Sequence, residues 1–288
     1  MKSCLKPTVQ RISIFIIPIL GLTLHSGCEA VTQPVKAETA VAAFSKIPEP
    51  DLSIVADAAT ILSRPQVPVL CYHQVRDFRP SDSKTSRDYI VPVGTFREQM
   101  KSLADSGYNA ILPGQLHDYL IAGKALPAKP VLITFDDTRM DQFTAALPEL
   151  NKYGFKAAFF IMTVSLGKPG YMHIEQVKQL ADEGHTIGSH TYDHKNVKTY
   201  TVDDWVEQVQ KPSKQLQTIT GKPVEYFAYP FGLWNKEAIT KLKDHDFKAV
   251  FQLAAKRDEN DPLFSVRRII VPGNWSGTTM LTVMKNSF

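Results

Sequence analysis

The sequence predicts an α/β fold, a regular or slightly incomplete (β/α) barrel of about seven strands, on three observations. After Pro68, apolar runs of strand length alternate with amphipathic segments of helical length through to the C-terminus. Gly107, Gly154, Gly184 and Gly221 each fall where a helical pattern ends, the place for a residue that accepts left-handed backbone. Acids, imidazoles and turn residues gather directly behind the apolar runs, as they do when strand-to-helix loops converge at one end of a parallel sheet. Of 288 residues, 43% are hydrophobic and 22% charged, which excludes disordered, collagenous and disulfide-scaffold classes. No repeat of fixed period is present, so solenoids and propellers are excluded as well.

The elements follow in order. Strands are predicted over 69–72 (VLCY), 131–135 (VLITF, with nothing charged), 157–162, 186–188, 226–228, 249–252 and 268–271. Helices are predicted between them over 93–106, 113–122, 140–153, 174–183, 202–220 and 236–246, with Trp205 on a buried face. Strands flanked in this way by helices build a mainly parallel sheet, open or closed into a barrel.

The N-terminus reads differently. Lys2, Lys6 and Arg11 precede the apolar residues 12–24, and the small residues Ser26 and Gly27 follow, the order of a secretory signal over residues 1–28. Thirteen apolar-run residues interrupted by Pro18 are too few to span a bilayer comfortably. The protein is therefore expected to be exported, to the cell envelope or beyond. Leu24, Ser26, Gly27 and Cys28 look like a lipobox with His25 at the usual Leu position, so two outcomes stand: a lipid anchor at Cys28, or ordinary signal cleavage nearby. Cys71 reads as a small buried hydrophobe, and a Cys28–Cys71 disulfide requires Cys28 to be unacylated. Residues 29–63 lack a sustained period and read as a flexible tether with a short helix near 51–62, ahead of a catalytic domain over 64–288. Loss of Lys2, Lys6 and Arg11 with the signal lowers the formal charge from +4 to about +1, so nucleic acid is not an expected partner.

The residues behind the predicted strands carry the chemistry. Asp136 and Asp137 follow VLITF; a single Asp there is commonly a helix N-cap, but two adjacent carboxylates repel and are most simply stabilised by a cation. His190 and His194, in GHTIGSHTYDH, are four residues apart, which puts both rings on one side of a helical turn. With Asp137 they form a His-His-Asp set of three ligands that leaves a position for water, the arrangement of catalytic zinc. His185 begins a strand and belongs at the other end of the barrel, as a structural residue, while His117, His173 and His245 read as surface. Trp234, Trp275 and Tyr171 fall in predicted loops where aromatic faces can stack on sugars, although packing is the commoner role.

TFDD at 134–137, SHTYDH at 189–194 and AYPFG at 228–232 together resemble the main motifs of the polysaccharide deacetylases, the NodB-homology domain of carbohydrate esterase family four. VPVLCYHQV at 67–75 further resembles the first strand of the branch that deacetylates poly-β-1,6-N-acetylglucosamine. The resemblance implies a distorted, incomplete (β/α) barrel of about seven strands and a metal-dependent hydrolase that removes N-acetyl groups from an N-acetylglucosamine-containing polysaccharide. It assigns Asp137, His190 and His194 to a divalent metal, zinc by preference, Asp136 to the general base, the Phe231 N–H to the oxyanion and His73 to the general acid. Peptidoglycan, chitin oligomers and O-acetylated xylan are alternative substrates for the same centre; a non-catalytic glycan-binding lipoprotein is disfavoured because every ligand residue is present.

Three positions depart from the family pattern. Thr138 replaces the usual Gly after Asp137, which is expected to reshape the loop beside the metal. Ala228 stands where many members carry the Arg that holds the catalytic Asp, leaving Arg139, Lys168 and Arg267 as candidates for that task. Tyr229 replaces a Pro and is expected to narrow the substrate groove.

Overall fold

The computed structural model describes residues 56–288. The predicted signal, Cys28 and the tether up to residue 55 lie outside the described residues. Residues 56–63 pack on the folded body, and the short helix expected near 51–62 at the end of the tether falls here in part. Asp57 caps helix α1 (Ala58–Ser63) by accepting from the Thr60 N–H, Ile61 is buried, and the Ala56 N–H donates to Ile121 O at 2.9 Å. A single apolar residue docked on the barrel and a side-chain cap are enough to order this turn.

The chain continues through β1 (Val69–Tyr72), β2 (Gln74–Val75), α2 (Lys84–Arg87), β3 (Ile90–Val91), α3 (Val93–Asp105), β4 (Asn109–Ile111), α4 (Pro113–Ala122) and β5 (Pro130–Phe135). A π turn at Gln142–Ala146 leads into α5 (Leu147–Lys152), followed by β6 (Ala158–Ile161), α6 (Ile174–Asp182) and β7 (Thr186–Ser189). Next, α7 (Val202–Trp205) passes through a second π turn at Val206–Gln210 into α8 (Lys211–Thr220). Then come β8 (Tyr226–Ala228), α9 (Lys236–Asp244), β9 (Ala249–Phe251), β10 (Ile269–Ile270) and α10 (Gly277–Ser287).

Seven strands lie side by side in the order β10-β1-β5-β6-β7-β8-β9, every neighbouring pair parallel, and β4 adds an eighth strand along the amino-terminal half of β5. The outer strands β9 and β10 are not paired with each other; β9 meets the chain ahead of β10 through the parallel bridge Phe251–Val266, and the Arg268 N–H donates to Leu253 O at 3.2 Å, so the barrel is distorted and incomplete as expected. β4 was not expected: at three residues, NAI, it has too little apolar run to stand out. The β2–β3 pair also escapes the pattern, being two residues on each side.

The interior explains the strand assignments. Val131, Leu132, Ile133, Thr134 and Phe135 of β5 are all fully buried, as befits a central strand covered on both faces. Phe135 stacks on Phe159 at 4.9 Å between centroids, and Trp205 sits in the core as predicted. His185 lies at the amino end of β7, where its Nδ1 accepts the Ala157 N–H at 3.1 Å, a structural role.

Gly188, in β7, has no room for a side chain: a Cβ would lie 2.6 Å from the Phe160 ring and 2.9 Å from Tyr226 O. Gly188→Ala is expected to destabilise the fold by about 1–3 kcal/mol through overpacking. Urea unfolding followed by circular dichroism checks this, and an unchanged midpoint would show that Phe160 moves aside without cost.

Candidate active site

The carboxyl end of β5 delivers two carboxylates into one cavity by bending the backbone sharply. Asp137 and Thr138 both adopt left-handed conformations, with φ of 73° and 62°. The first is therefore not a helix cap; its side chain turns toward the imidazoles. Thr138, in the usual glycine place, has its hydroxyl used as an anchor: Oγ1 accepts the Met162 N–H at 2.7 Å, fixing the loop to the end of β6. Gln142, fully buried in the first π turn, donates through Nε2 to both His73 O and Asp136 O, tying the ends of β1 and β5 together.

His190 follows β7 directly. Its Nδ1–H donates to Ala228 O at 2.8 Å, which leaves the Nε2 lone pair pointing inward, 3.4 Å from Asp137 Oδ1. His194 reaches the same carboxylate, with Nε2 at 3.7 Å from Oδ1. The two rings do not share a helical turn, contrary to the expectation from their spacing. Residues 190–194 form an irregular loop with Thr191 and His194 at φ of 70° and 69°, and the Thr191 hydroxyl accepts the His194 N–H at 2.9 Å. This turn does the work assigned to a helix, placing the rings 4.8 Å apart.

The three donors fit a divalent cation. Ligand atoms bonded at about 2.0–2.1 Å in a tetrahedron stand about 3.4 Å apart, close to the separations here. The donor set is two imidazoles and a carboxylate, and buried His190 Nε2 has no hydrogen-bond partner among the described residues. Burial alone would raise the Asp137 pKa, but its histidine neighbours override that and lower it; burial likewise opposes protonation of His190, but Asp136 and Asp137 raise its pKa. Burial and nearby His190 bring His194 down to about 4, which leaves its ring neutral and able to ligate near neutral pH.

None of Arg139, Lys168 and Arg267 holds Asp136. Arg268 does, by a two-bond fork: Nη1 to Oδ1 and Nη2 to Oδ2, both at 2.7 Å. Its side chain is fully buried, with Nη1 also donating to Thr134 Oγ1 at 3.1 Å and Nε to Gln252 O at 3.0 Å. Arg267, one residue earlier, points outward to Ser287 O and stacks on Phe288, while Arg139 lies over Tyr171. The available signal was a charge opening the apolar run RIIV, whose inward side could not be chosen from sequence. Burial pushes the Asp136 pKa up, but Arg268 outweighs it and holds the carboxyl well below the usual range. The Cys71 thiol, buried as predicted and free, donates to Asp136 Oδ2 at 3.5 Å.

These residues line a cavity of about 390 Å³ together with His73, Gln74, Ser86, Tyr89, Tyr229, Phe231, Gly232 and Leu253. His73, at the end of β1, keeps its Nδ1 buried without a partner among the described residues, and its pKa is lowered, chiefly by burial. Phe231 has φ of 59° and remains 59% exposed, its ring edge-on to His194 at 4.4 Å between centroids. All six sequence-predicted site residues therefore meet in one place. Tyr229 does not project across the groove as expected: it is buried, and its hydroxyl donates to Phe264 O at 3.0 Å. Trp234, Trp275 and Tyr171 lie outside the cavity lining; Trp234 donates to Gln252 Oε1 at 2.8 Å, and Trp275 packs on the core.

A parallel half-open barrel with a carboxylate and imidazole cluster at its carboxyl end defines a hydrolase of the deacetylase type, and comparison with known proteins agrees. Residues 123–250 match the family model "Polysaccharide deacetylase". The chain is 30% identical over 216 residues to the Bacillus subtilis (strain 168) protein YxkH, assigned by name to the polysaccharide deacetylases, with 74% of each chain covered. It is 26% identical over 227 residues to the poly-beta-1,6-N-acetyl-D-glucosamine N-deacetylase of Staphylococcus aureus (strain MRSA252), covering 70% of this chain and 77% of that one. Among solved structures, Ammonifex degensii IcaB superposes with a TM-score of 0.65 at 27% identity, covering 77% of this chain and 98% of that one. Streptococcus pyogenes deacetylase PplD in complex with acetate shares the fold, with a TM-score of 0.70 at 23% identity and coverage of 76% and 98%. The chain belongs to the polysaccharide deacetylase family and is an enzyme of that hydrolase class.

Arg268→Ala leaves a buried carboxylate without its cation and is expected to cost about 3–5 kcal/mol at pH 7. In the wild type the folded Asp136 pKa is depressed, so the stabilisation is complete above the unfolded value of about 3.9 and lost as pH falls toward the folded one. In the variant burial raises that pKa, so acid relieves the defect. Unfolding curves at pH 7 and pH 4 should show the deficit narrowing; a constant deficit would assign the pair's contribution to packing alone.

Proposed function

We propose that this protein is an exported, metal-dependent N-deacetylase of poly-β-1,6-N-acetylglucosamine or a closely related N-acetylglucosamine polymer. The observation that carries the reading is the convergence of Asp137, His190 and His194 beside an Asp136 fixed by Arg268 in one cavity. His73 at the end of β1 supports the β-1,6 branch, because it lies in VPVLCYHQV at 67–75, the segment that resembles that branch, and lines the same cavity. The named activity of the Staphylococcus aureus relative supports the same substrate. The N-terminal signal pattern supports export, with the Cys28 lipid anchor as one of its two outcomes.

Asp137, His190 and His194 would hold the cation, with zinc the first choice for a donor set of this kind. A bound divalent metal supplies a water of lowered pKa and polarises the acetyl carbonyl. Asp136 accepts the proton; Arg268 keeps it ionised and aims it, while Oδ1, which accepts from Arg268 Nη1, keeps a second lone pair for the proton. The Phe231 N–H, on its left-handed turn, donates to the oxygen that gains charge. His73 protonates the departing amine, and its lowered pKa makes it a ready proton donor once charged.

The test is acetate release from β-1,6- and β-1,4-linked N-acetylglucosamine oligomers, after chelation and again after zinc is restored. Zinc-dependent release, greater on the β-1,6 linkage, is expected. Release from peptidoglycan fragments alone would move the substrate to the cell wall, the named substrate of a Bacillus cereus relative that is 28% identical over 162 residues. Asp136→Asn should keep about one metal per chain and lose at least about a hundredfold in kcat, whereas His190→Ala should lose stoichiometric metal. Normal turnover in the first, or full zinc content in the second, would remove that residue from its role. His73→Ala should slow N-acetyl substrates more than activated acetate esters, whose leaving groups need little protonation. Equal losses on both would count against the acid assignment.

A further inference from the structure

We propose that Tyr89 is the sugar-stacking residue of the cavity, holding a pyranose ring of the polymer against the wall formed by residues 74–91. This rests on the deacetylase reading above and assigns a contact that none of the sequence motifs contains. The three loop aromatics that sequence offered for stacking, Trp234, Trp275 and Tyr171, do not line the cavity, whereas Tyr89 does. It is 38% exposed beside Ile90 and Val91, which are fully buried, so an apolar ring stands uncovered on a well-packed base. Its ring meets that of His73 edge to face at 4.9 Å between centroids, which places it beside the proposed acid and hence beside the leaving amine's sugar.

The wall that carries Tyr89 is held in place. The Gln74 N–H donates to Tyr89 O at 3.0 Å, and the Tyr89 N–H donates to Ser86 O at 3.1 Å. Arg76 grips Asp82 with two bonds of 2.9 and 2.8 Å, and Asp77 accepts the Val93 N–H at 3.2 Å, so the intervening loop is tied to itself and to α3. A pyranose has apolar C–H faces and a polar rim. A fixed tyrosine offers a matching ring plane at low entropic cost, with a hydroxyl at its tip, and Ser86 lines the cavity nearby. Phe231, the other exposed aromatic there, lies against His194 on the proposed oxyanion turn, so the two rings flank different parts of the site.

The experiment pairs turnover with binding, using a β-1,6-linked N-acetylglucosamine pentamer and 4-nitrophenyl acetate. Tyr89→Ala should lower the ratio of kcat/KM for the pentamer to that for the ester about tenfold, through KM, and Tyr89→Phe should restore most of it. Calorimetry with the pentamer in the Asp136→Asn background should show a similar weakening when Tyr89→Ala is added. Equal losses on pentamer and ester, or undiminished pentamer binding, would overturn the stacking role. Pentamer binding that depends on Tyr89 without any wild-type turnover would overturn the deacetylation substrate while leaving the contact standing. Absence of both binding and turnover would overturn both.

Discussion

The buried pair of Arg268 and Asp136 couples the architecture of this protein to its chemistry. Two fully or nearly buried charges lose their hydration, a cost of several kcal/mol for each ion, and such a pair persists only when the remaining hydrogen-bonding capacity is also met. Here it is met by the fork of two bonds, by Thr134 of β5, by Gln252 beyond β9 and by the Cys71 thiol of β1. Gln252 in turn donates to Ala255 O, Lys256 O and Ser265 O, drawing in the chain that leads to β10. Backbone bonds join β9 and the residues after it to the chain ahead of β10, at Val266 and Arg268, and the Arg268 side chain adds a lateral connection to Gln252 and Thr134 at that place. The group that aims the carboxylate is thus also the group that helps close the barrel.

Around this pair the backbone departs from its relaxed conformations. Asp137, Thr138, Thr191, His194 and Phe231 are all non-glycine residues in the left-handed region, and all five belong to the loops at the carboxyl ends of β5, β7 and β8. Each such residue is disfavoured, and a group of them survives where surrounding contacts dictate the conformation. Those contacts are visible: the Thr138 hydroxyl on Met162, the Thr191 hydroxyl on His194, and the His190 ring on Ala228 O. The left-handed turns aim side chains that a regular strand or helix would send apart. His190 and His194 illustrate this, since their convergence comes from a tight loop where four-residue spacing alone pointed to a helix.

How much of this was legible in the sequence follows from the range of the interactions. Asp136, Asp137, His190 and His194 could be found because each pair is local, set by a few residues behind an apolar run. Six of the eight strands of the main sheet, and their helices, could be read for the same reason, as apolar runs with glycine stops, and β10 could be read as RIIV. β4 was too short for a pattern, and the two π turns interrupt predicted helices without leaving a periodic trace. Arg268 reaches Asp136 across 132 residues of sequence, and no local rule chooses it over its neighbour Arg267. Gln142 and Tyr89 were missed for the same reason: one looks like an ordinary helix glutamine, the other like a loop tyrosine, until the fold brings both beside His73.

The alanine at 228 shows what the site requires physically. In many family members that position supplies the arginine for the catalytic carboxylate. Here it supplies a backbone oxygen to His190 and a small side chain packed among Phe160 and Phe251. The cation comes instead from the residue before β10, and its guanidinium passes over the Phe160 ring at 5.4 Å on its way to Asp136. An arginine at 228 would compete for the space that the Arg268 guanidinium and Phe160 now share. What Asp136 requires is a planar two-donor cation at its open edge, and the long arginine stem allows that cation to originate from more than one strand. The fork geometry, rather than the position in the motif, is therefore what orients this carboxylate.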